Sequence, residues 1–317
     1  MTNEKKCAVI GCGRLGRTIA YTYALNGLFS EILLIDKDMR RAQGEALDIE
    51  RCVPFLSPMR IYAGGYADIA DASLIVIAAD ADGDARKNRM ARLSENLRMT
   101  ESIVTQFVRY NREAVLLLAS SPVDILTYHA MKVSGYPPAR VIGTGTVLDT
   151  ACFRQKLGEA LSVDRHHVHA YIIGEHGQSE FPVFSTANIS GMRLEDFCHA
   201  SAYCNGMQTV RRIFEEVRDS HFRIMEAKGA SYFAEAQAVL RITRSIVQDE
   251  NVALTVSCLL HSYDGKSSMC LGMPAILGRC GIKQILTLPL TEEETRKLHE
   301  SAALCNQEYE KASSAFV

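Results

Sequence analysis

The sequence predicts an α/β protein: a doubly wound parallel sheet with helices on both faces, followed by an α+β half. Three observations point there. Short β-branched apolar runs alternate with helical stretches through the first half. A glycine-rich turn closes the first of those runs. After about residue 146 the alternation stops, and longer helices and apolar strands take over. The chain therefore divides into residues 1–145 and 146–317.

Each element follows from its local pattern. "KCAVIG" (6–11), "EILLID" (31–36), "ASLIVIAA" (72–79) and "AVLLLAS" (114–120) read as buried strands. "ARVIGTG" (139–145) adds another. Amphipathic stretches at 14–26, 39–51 and 88–110 separate them as helices. In the second half a helix near 148–161 leads to a strand in "HVHAYIIG" (167–174), then to turn-rich sequence around 175–192. Helices follow near 194–227 and 231–247, "VSCLL" and "CLGMPAILG" read as strands of an antiparallel sheet, and a charged helix from Thr291 to about Ser313 closes the pattern.

Composition narrows the function classes. A formal net charge of −2 leaves no basic surplus for nucleic-acid phosphates. No apolar run approaches the length of a membrane span. The polar start, MTNEKK, does not read as a signal peptide, so a cytoplasmic protein is expected. The ten cysteines are scattered, and they read as reduced, mostly buried thiols. None forms a CxxC pair or tight Cys/His cluster, so no metal is assigned. In "HHVH", His167 and His169 share a strand face, but no third ligand is evident and an edge strand is the better reading.

"VIGCGRLGRTIA" holds Gly11-x-Gly13-x-x-Gly16 between a strand and a helical pattern. Twenty residues beyond Gly16 the next strand ends in Asp36. The first glycine permits a tight turn, the second lets backbone approach a pyrophosphate, and the third packs helix on strand. Asp36 would accept from a ribose diol and repel a 2′-phosphate, which favours NAD over NADP. The first half thus reads as a Rossmann-type dinucleotide-binding domain. A glycine turn without ligand explains less of the register. Arg14 and Leu15, within the turn, join the cofactor set.

"IIGEHGQSEFPVF" places His176 in a glycine-bounded turn after an apolar strand. A histidine there can titrate near neutrality and act as a general acid or base. With "EILLIDKDMRRAQGEALDI", "SSPVDILTY", "VIGTGTVLDTA", "VHAYIIGEHGQSE", "KGASYFAEA" and "GMPAILGRCGI" in this order, the chain resembles the L-lactate/malate dehydrogenase family, nearer its lactate branch, over nearly its whole length.

That resemblance implies roles by position. His176 matches the histidine that exchanges a proton with the substrate carbonyl or hydroxyl. Asp149 matches the acid that hydrogen-bonds it. Arg89 matches a loop arginine that polarises the carbonyl, with residues from about Asp80 to Arg89 as the lid. Ser231 matches a small hydroxyl residue beside the substrate. The implied activity is an NAD-dependent L-2-hydroxy acid dehydrogenase. Taken singly, Asp149 reads better as a helix N-cap and Arg89 as a solvated charge; in register with His176, those readings lose.

Several positions depart from the family pattern. Three residues after Asp149 the family carries a second arginine, which holds the substrate carboxylate; here it is Cys152. A guanidinium makes two charge-assisted hydrogen bonds to a carboxylate and a thiol makes none, each bond being worth roughly 1.5–3 kcal/mol. Gly83, six before Arg89, is neither the glutamine of the lactate branch nor the arginine of the malate branch. The lid is acidic, with Asp80, Asp82 and Asp84. Ser121 stands where an asparagine is expected before Pro122, beside both cofactor and substrate. Glu235, four after Ser231, takes a usually apolar place near the nicotinamide. The substrate pocket is thus read as Gly83, Ser121, Cys152, Ser231 and Glu235. These changes point to a substrate shifted from pyruvate or oxaloacetate towards something larger, neutral or partly cationic.

Two other readings stay open. One is an NAD-binding family member with little or no catalysis, in a sensor or structural role. The other, weaker, is covalent catalysis by Cys152. Arg154 and His169 resemble by position the pair that binds fructose 1,6-bisphosphate in some bacterial members, although non-allosteric members carry such residues too. The resemblance further implies a homodimer or homotetramer acting on a small-molecule substrate.

Overall fold

The structure, a computed structural model, describes residues 3–81, 89–261 and 268–314. Gly83, Asp82 and Asp84 lie outside the described residues. The parallel half consists of β1 (Asn3–Ile10), α1 (Arg14–Asn26), β2 (Glu31–Ile35), α2 (Met39–Glu50), β3 (Arg60–Ala63), β4 (Ala72–Ile77), α3 (Arg89–Phe107), β5 (Val115–Leu118), α4 (Val123–Ser134) and β6 (Val141–Gly143). Strands β1 to β6 pair in parallel in the order β3-β2-β1-β4-β5-β6. The order reverses between β1 and β4, so the loops after these two strands open a crevice at their carboxyl ends, where doubly wound sheets bind ligands.

The core explains why these strands read as unbroken apolar runs. On β1, Cys7 and Val9 pack on one face, Ala8 and Ile10 on the other. The same alternation splits Leu74 and Val76 from Ile75 and Ile77 on β4, and Val115 and Leu117 from Leu116 and Leu118 on β5. Helix α1 supplies Ile19, Ala20 and Tyr23 to the first face, while α3 supplies Ile103, Val104 and Phe107 to the second. With both faces covered, no polar alternation survives in the sequence.

The rest of the chain consists of α5 (Val147–Leu161), β7 (Val168–His169), β8 (Ile172–Ile173), β9 (Phe181–Pro182), β10 (Asn188–Ile189), β11 (Met192–Arg193), α6 (Leu194–Ala200), α7 (Met207–Lys228), α8 (Phe233–Val247), β12 (Val252–His261), β13 (Ser268–Gly278), β14 (Gly281–Ile285) and α9 (Glu292–Ser313). The long strands β12 and β13 are antiparallel, as expected, and the shorter β14 joins them, yet they do not form a sheet of their own. Ser257 of β12 pairs with Gly143 of β6, and this joins them to the parallel strands in one nine-stranded sheet. Helix α8 completes the first face beside α1, where the Tyr23 hydroxyl and Thr243 Oγ1 hydrogen-bond at 2.6 Å.

Some expectations need correction. "HVHAYIIG" is not one strand: β7 and β8 belong to different small sheets, with Ala170 and Tyr171 between them. The cysteines are not all reduced. Cys198, near the end of α6, and Cys204 form a disulfide, because the turn from Ser201 to Gly206 brings their Cα atoms to 4.9 Å. The remaining cysteines are free and most are buried. Strand β3 was missed because it is a short edge strand with little apolar run. Helix α4 was missed because Val123, Ile125, Leu126 and Ala130 are buried on several sides, which erases an amphipathic stripe.

Candidate functional site

The crevice begins at the first glycine turn. Gly11 has φ +96°, and a Cβ there would sit 2.7 Å from the backbone of Ala79, beyond β4. A Cβ on Gly16 would sit 1.7 Å from the Gly11 carbonyl oxygen. The turn therefore closes only with glycine at both places. Gly13 differs, with nothing within 4 Å of its Cβ position. It leaves open space at the N-terminus of α1, the place a pyrophosphate would occupy. Asp36 is fixed from behind: its carboxylate accepts from the backbone N–H of Cys12 at 2.7 Å and of Asp38 at 2.9 Å. Leu15 packs partly buried against the core, while Arg14 is exposed, its guanidinium 3.8 Å from the Cβ position at Gly229. A cradle of glycines with an oriented acid beyond it fits a dinucleotide with a free ribose diol.

The second half of the site is the turn between β8 and β9. Its backbone is anchored on three sides. Gly174 pairs through its backbone with Gly272 of β13. The N–H of Glu175 donates to Ser301 Oγ of α9 at 2.8 Å. The N–H of His176 donates to Asp124 Oδ2 of α4 at 2.8 Å, and Asp124 in turn accepts from Ser257 Oγ of β12 at 2.5 Å. These contacts fix where the imidazole starts. Its Nδ1 then meets Asp149 Oδ2 of α5 at 2.8 Å. With Nδ1 committed, Nε2 is the nitrogen that can meet a substrate.

The electrostatics follow from this packing. The Asp149 carboxylate raises the His176 pKa well above the usual imidazole value, outweighing the opposing effect of burial. Glu180 lies behind the pair, its Oε2 at 3.7 Å from His176 Nδ1. Burial first, and Asp149 second, push its carboxyl upward, so it tends to hold a proton. Burial also drives Asp124 up to about 7. Asp149, His176 and Glu180 bring one ligand atom each within 4.8 Å of one another. The Asp149–His176 hydrogen bond and the buried, easily protonated Glu180 account for this cluster as an acid–imidazole group.

The sequence matches two domains of one family over nearly its whole length. Residues 5–143 match the lactate/malate dehydrogenase NAD binding domain, and residues 146–316 match the lactate/malate dehydrogenase alpha/beta C-terminal domain. The chain belongs to the lactate/malate dehydrogenase family. Among its curated relatives, L-lactate dehydrogenase of Acetivibrio thermocellus is 43% identical over 94% of each chain. That of Priestia megaterium is 42% identical over 97% of this chain and 96% of its own. Among solved structures, a lactate dehydrogenase enzyme from a Medee basin deep-sea metagenome library superposes with a TM-score of 0.93 at 36% identity, covering 99% of this chain and 100% of that one.

Within this dehydrogenase family the departures now have positions. Cys152 is half-buried on α5 near Asp149, and burial followed by the Asp149 charge pushes its thiol upward. A protonated thiol is a poor nucleophile, which argues against covalent catalysis. Arg154 does not turn towards His176: its Nε donates to the Ala170 carbonyl at 2.8 Å and its guanidinium lies 5.1 Å from the Tyr171 ring centroid. His169 is exposed on β7. Arg89 starts α3 with its guanidinium at Glu308 (3.1 Å) and Glu175 (3.6 Å), so it would have to leave both acids to meet a group at His176. The Ser121 carbonyl accepts from Asn96, whose side chain also holds Asp80 and the N–H of Ala81. Glu235, in the first turn of α8, accepts from the Ser231 hydroxyl and lies in the field of His176; burial raises its pKa.

Sequence reasoning passed over four side chains at this centre. Asp124 and Glu180 stood inside quoted motifs, "SSPVDILTY" and "IIGEHGQSEFPVF", without a role. Ser257 carried no signal, since it reads as one more strand residue. His221 of α7 carried none either, yet its ring centroid lies 6.5 Å from that of His176.

Proposed function

We propose that this dehydrogenase-family chain transfers hydride between NAD(H) and a 2-hydroxy or 2-oxo acid, with His176 as the acid–base group. The single observation carrying this is the Asp149–His176 hydrogen bond of 2.8 Å. Gly11, Gly13, Arg14, Leu15 and Gly16 would hold the pyrophosphate side of NAD, and Asp36 the ribose diol, with Ser121 near the nicotinamide. The cofactor supplies the hydride acceptor or donor.

The chain's own residues handle the proton. In carbonyl reduction the His176 imidazolium donates from Nε2 to the carbonyl oxygen; in alcohol oxidation the neutral imidazole takes the proton back. Asp149 fixes the ring and stabilises its charged form. Ser231 and Glu235 border the substrate space. Because the Asp149 charge raises the His176 pKa, its proton is held to higher pH than on an ordinary imidazole. With 2-oxo acid at saturation, kcat for NADH-dependent reduction should therefore persist to higher pH than an ordinary imidazole would allow before it falls, while oxidation should rise on that alkaline side. Steady-state assays of the purified chain against a panel of 2-oxo and 2-hydroxy acids test this. NADH binding without turnover anywhere would replace the proposal with the sensor reading, which the missing guanidinium at Cys152 favours.

Cofactor choice gives an independent check. Asp36→Asn keeps an oxygen to accept from Cys12 and Asp38 but removes the charge. The KM for NADH should rise about tenfold or more, and preference over NADPH should shrink. An unchanged NADPH-to-NADH ratio would remove Asp36 from the cofactor set.

A further inference from the structure

A 2-oxo acid brought to His176 carries a carboxylate next to its carbonyl, and that charge needs a partner inside the cleft. Three cations on elements around the site are engaged elsewhere. Arg154 donates to Ala170, Arg89 sits at Glu308 and Glu175, and Lys156 pairs outward with Glu159 at 2.8 Å. Cys152 offers a neutral thiol. One further nitrogen heterocycle faces the site: His221, exposed on α7, its ring tilted 79° to that of His176 at 6.5 Å between centroids. Two adjacent oxygens of one 2-oxo acid, each about 2.8 Å from its donor, can bridge two imidazoles so spaced.

We propose that His221 is the carboxylate anchor of this site, the imidazolium on α7 holding the acid group of a substrate whose carbonyl faces His176. This rests on the dehydrogenase function proposed above. A histidine differs from an arginine in one respect that matters: its charge is lost near neutrality. The groups whose fields reach His221 are His176, from the β8–β9 turn, which opposes its protonation, and Asp149, from α5, which favours it. Partial burial of the ring is the largest cause of a lowered His221 pKa, the His176 charge adds to it and Asp149 opposes both, so the free imidazole gives up its proton at lower pH than usual. Cys152 on α5 and Glu235 on α8 border the same acid–imidazole pair. Substrate capture by this residue therefore takes up a proton, and affinity for 2-oxo acids climbs as pH falls. His221 is a specificity-determining residue here, not a donor to the reacting carbonyl.

The test measures KM and kcat for NADH-dependent reduction of pyruvate and of methyl pyruvate, which lacks the carboxylate, from about pH 5.5 to about pH 8. In the wild type, KM for pyruvate should rise by up to about tenfold per pH unit on the upper side, while KM for the ester stays flat. His221→Gln should raise the pyruvate KM about 10- to 100-fold at low pH and abolish the slope, with kcat and the ester KM retained. His221→Lys should keep tight binding and lose the slope. Glu235→Gln should keep the slope, which separates the two titrating groups. A His221→Gln enzyme with the wild-type pyruvate KM and slope overturns the anchor while leaving the dehydrogenase reading standing. NADH binding with no reduction of either compound, nor of any other 2-oxo acid in the panel above, overturns both.

Discussion

Replacing Asp149 with asparagine should lower kcat for carbonyl reduction at neutral pH by about 100- to 10,000-fold, the range removed with an acid–base partner. Asp149 is the largest cause of the raised His176 pKa, and burial alone pushes the other way. Without that charge, the imidazole would lose its proton at lower pH than in the wild type. The acid required for reduction would then be scarce, and the active limb of the pH profile would move to lower pH. Glu180, 3.7 Å from the same nitrogen, would leave a residual effect and not a complete loss. The measurement is a pH profile of kcat/KM with NADH, alongside NADH binding by fluorescence to show an intact cofactor site. An unshifted profile with wild-type kcat would mean that His176 is not the proton donor.

Restoring a guanidinium with Cys152→Arg should have the opposite sign. Two charge-assisted hydrogen bonds at roughly 1.5–3 kcal/mol each would improve kcat/KM for pyruvate by about 100-fold or more. Part of that gain would be offset by Glu235, whose ionised carboxylate lies near the same pair. Combining the change with Glu235→Gln should therefore improve pyruvate reduction further. If wild type already reduces pyruvate efficiently and the arginine adds nothing, the substitution at Cys152 is not what limits carboxylate binding. The same variant should also flatten the pH dependence of the pyruvate KM, because an arginine does not titrate in this range.

Much of this was legible in the sequence because short-range chemistry encoded it. Gly11, Gly16 and Asp36 announce the dinucleotide crevice through a turn that only glycine closes and an acid at a set distance. His176 and Asp149 lie 27 residues apart, yet each sits in a motif that fixes its element, so their meeting at 2.8 Å followed from register. What was hidden depends on long-range packing. Nothing local marks His221, a mid-helix residue whose approach to His176 is set by how α7 lies on α5. Asp124 holds the His176 backbone from 52 residues away, and Ser257 holds Asp124 from 133. The Cys198–Cys204 bridge depends on a turn geometry that spacing alone does not specify. Arg89 shows the converse: its position along the chain was readable, while its contacts with Glu308 and Glu175 were not.

The joint between β6 and β12 has a mechanical consequence. Ser257 lies opposite Gly143 in the sheet, and the same serine's hydroxyl supports the carboxylate beneath His176. The glycine-turn crevice and the turn that carries His176 are therefore bolted to one continuous deck. Swinging the two family-matched segments apart about residue 145 would tear main-chain hydrogen bonds and lift His176 off its support at once. Any opening and closing around the substrate must come from pieces that move above this deck. Severed from its neighbour, either segment would present a raw strand edge to solvent, the kind of surface that seeks another chain.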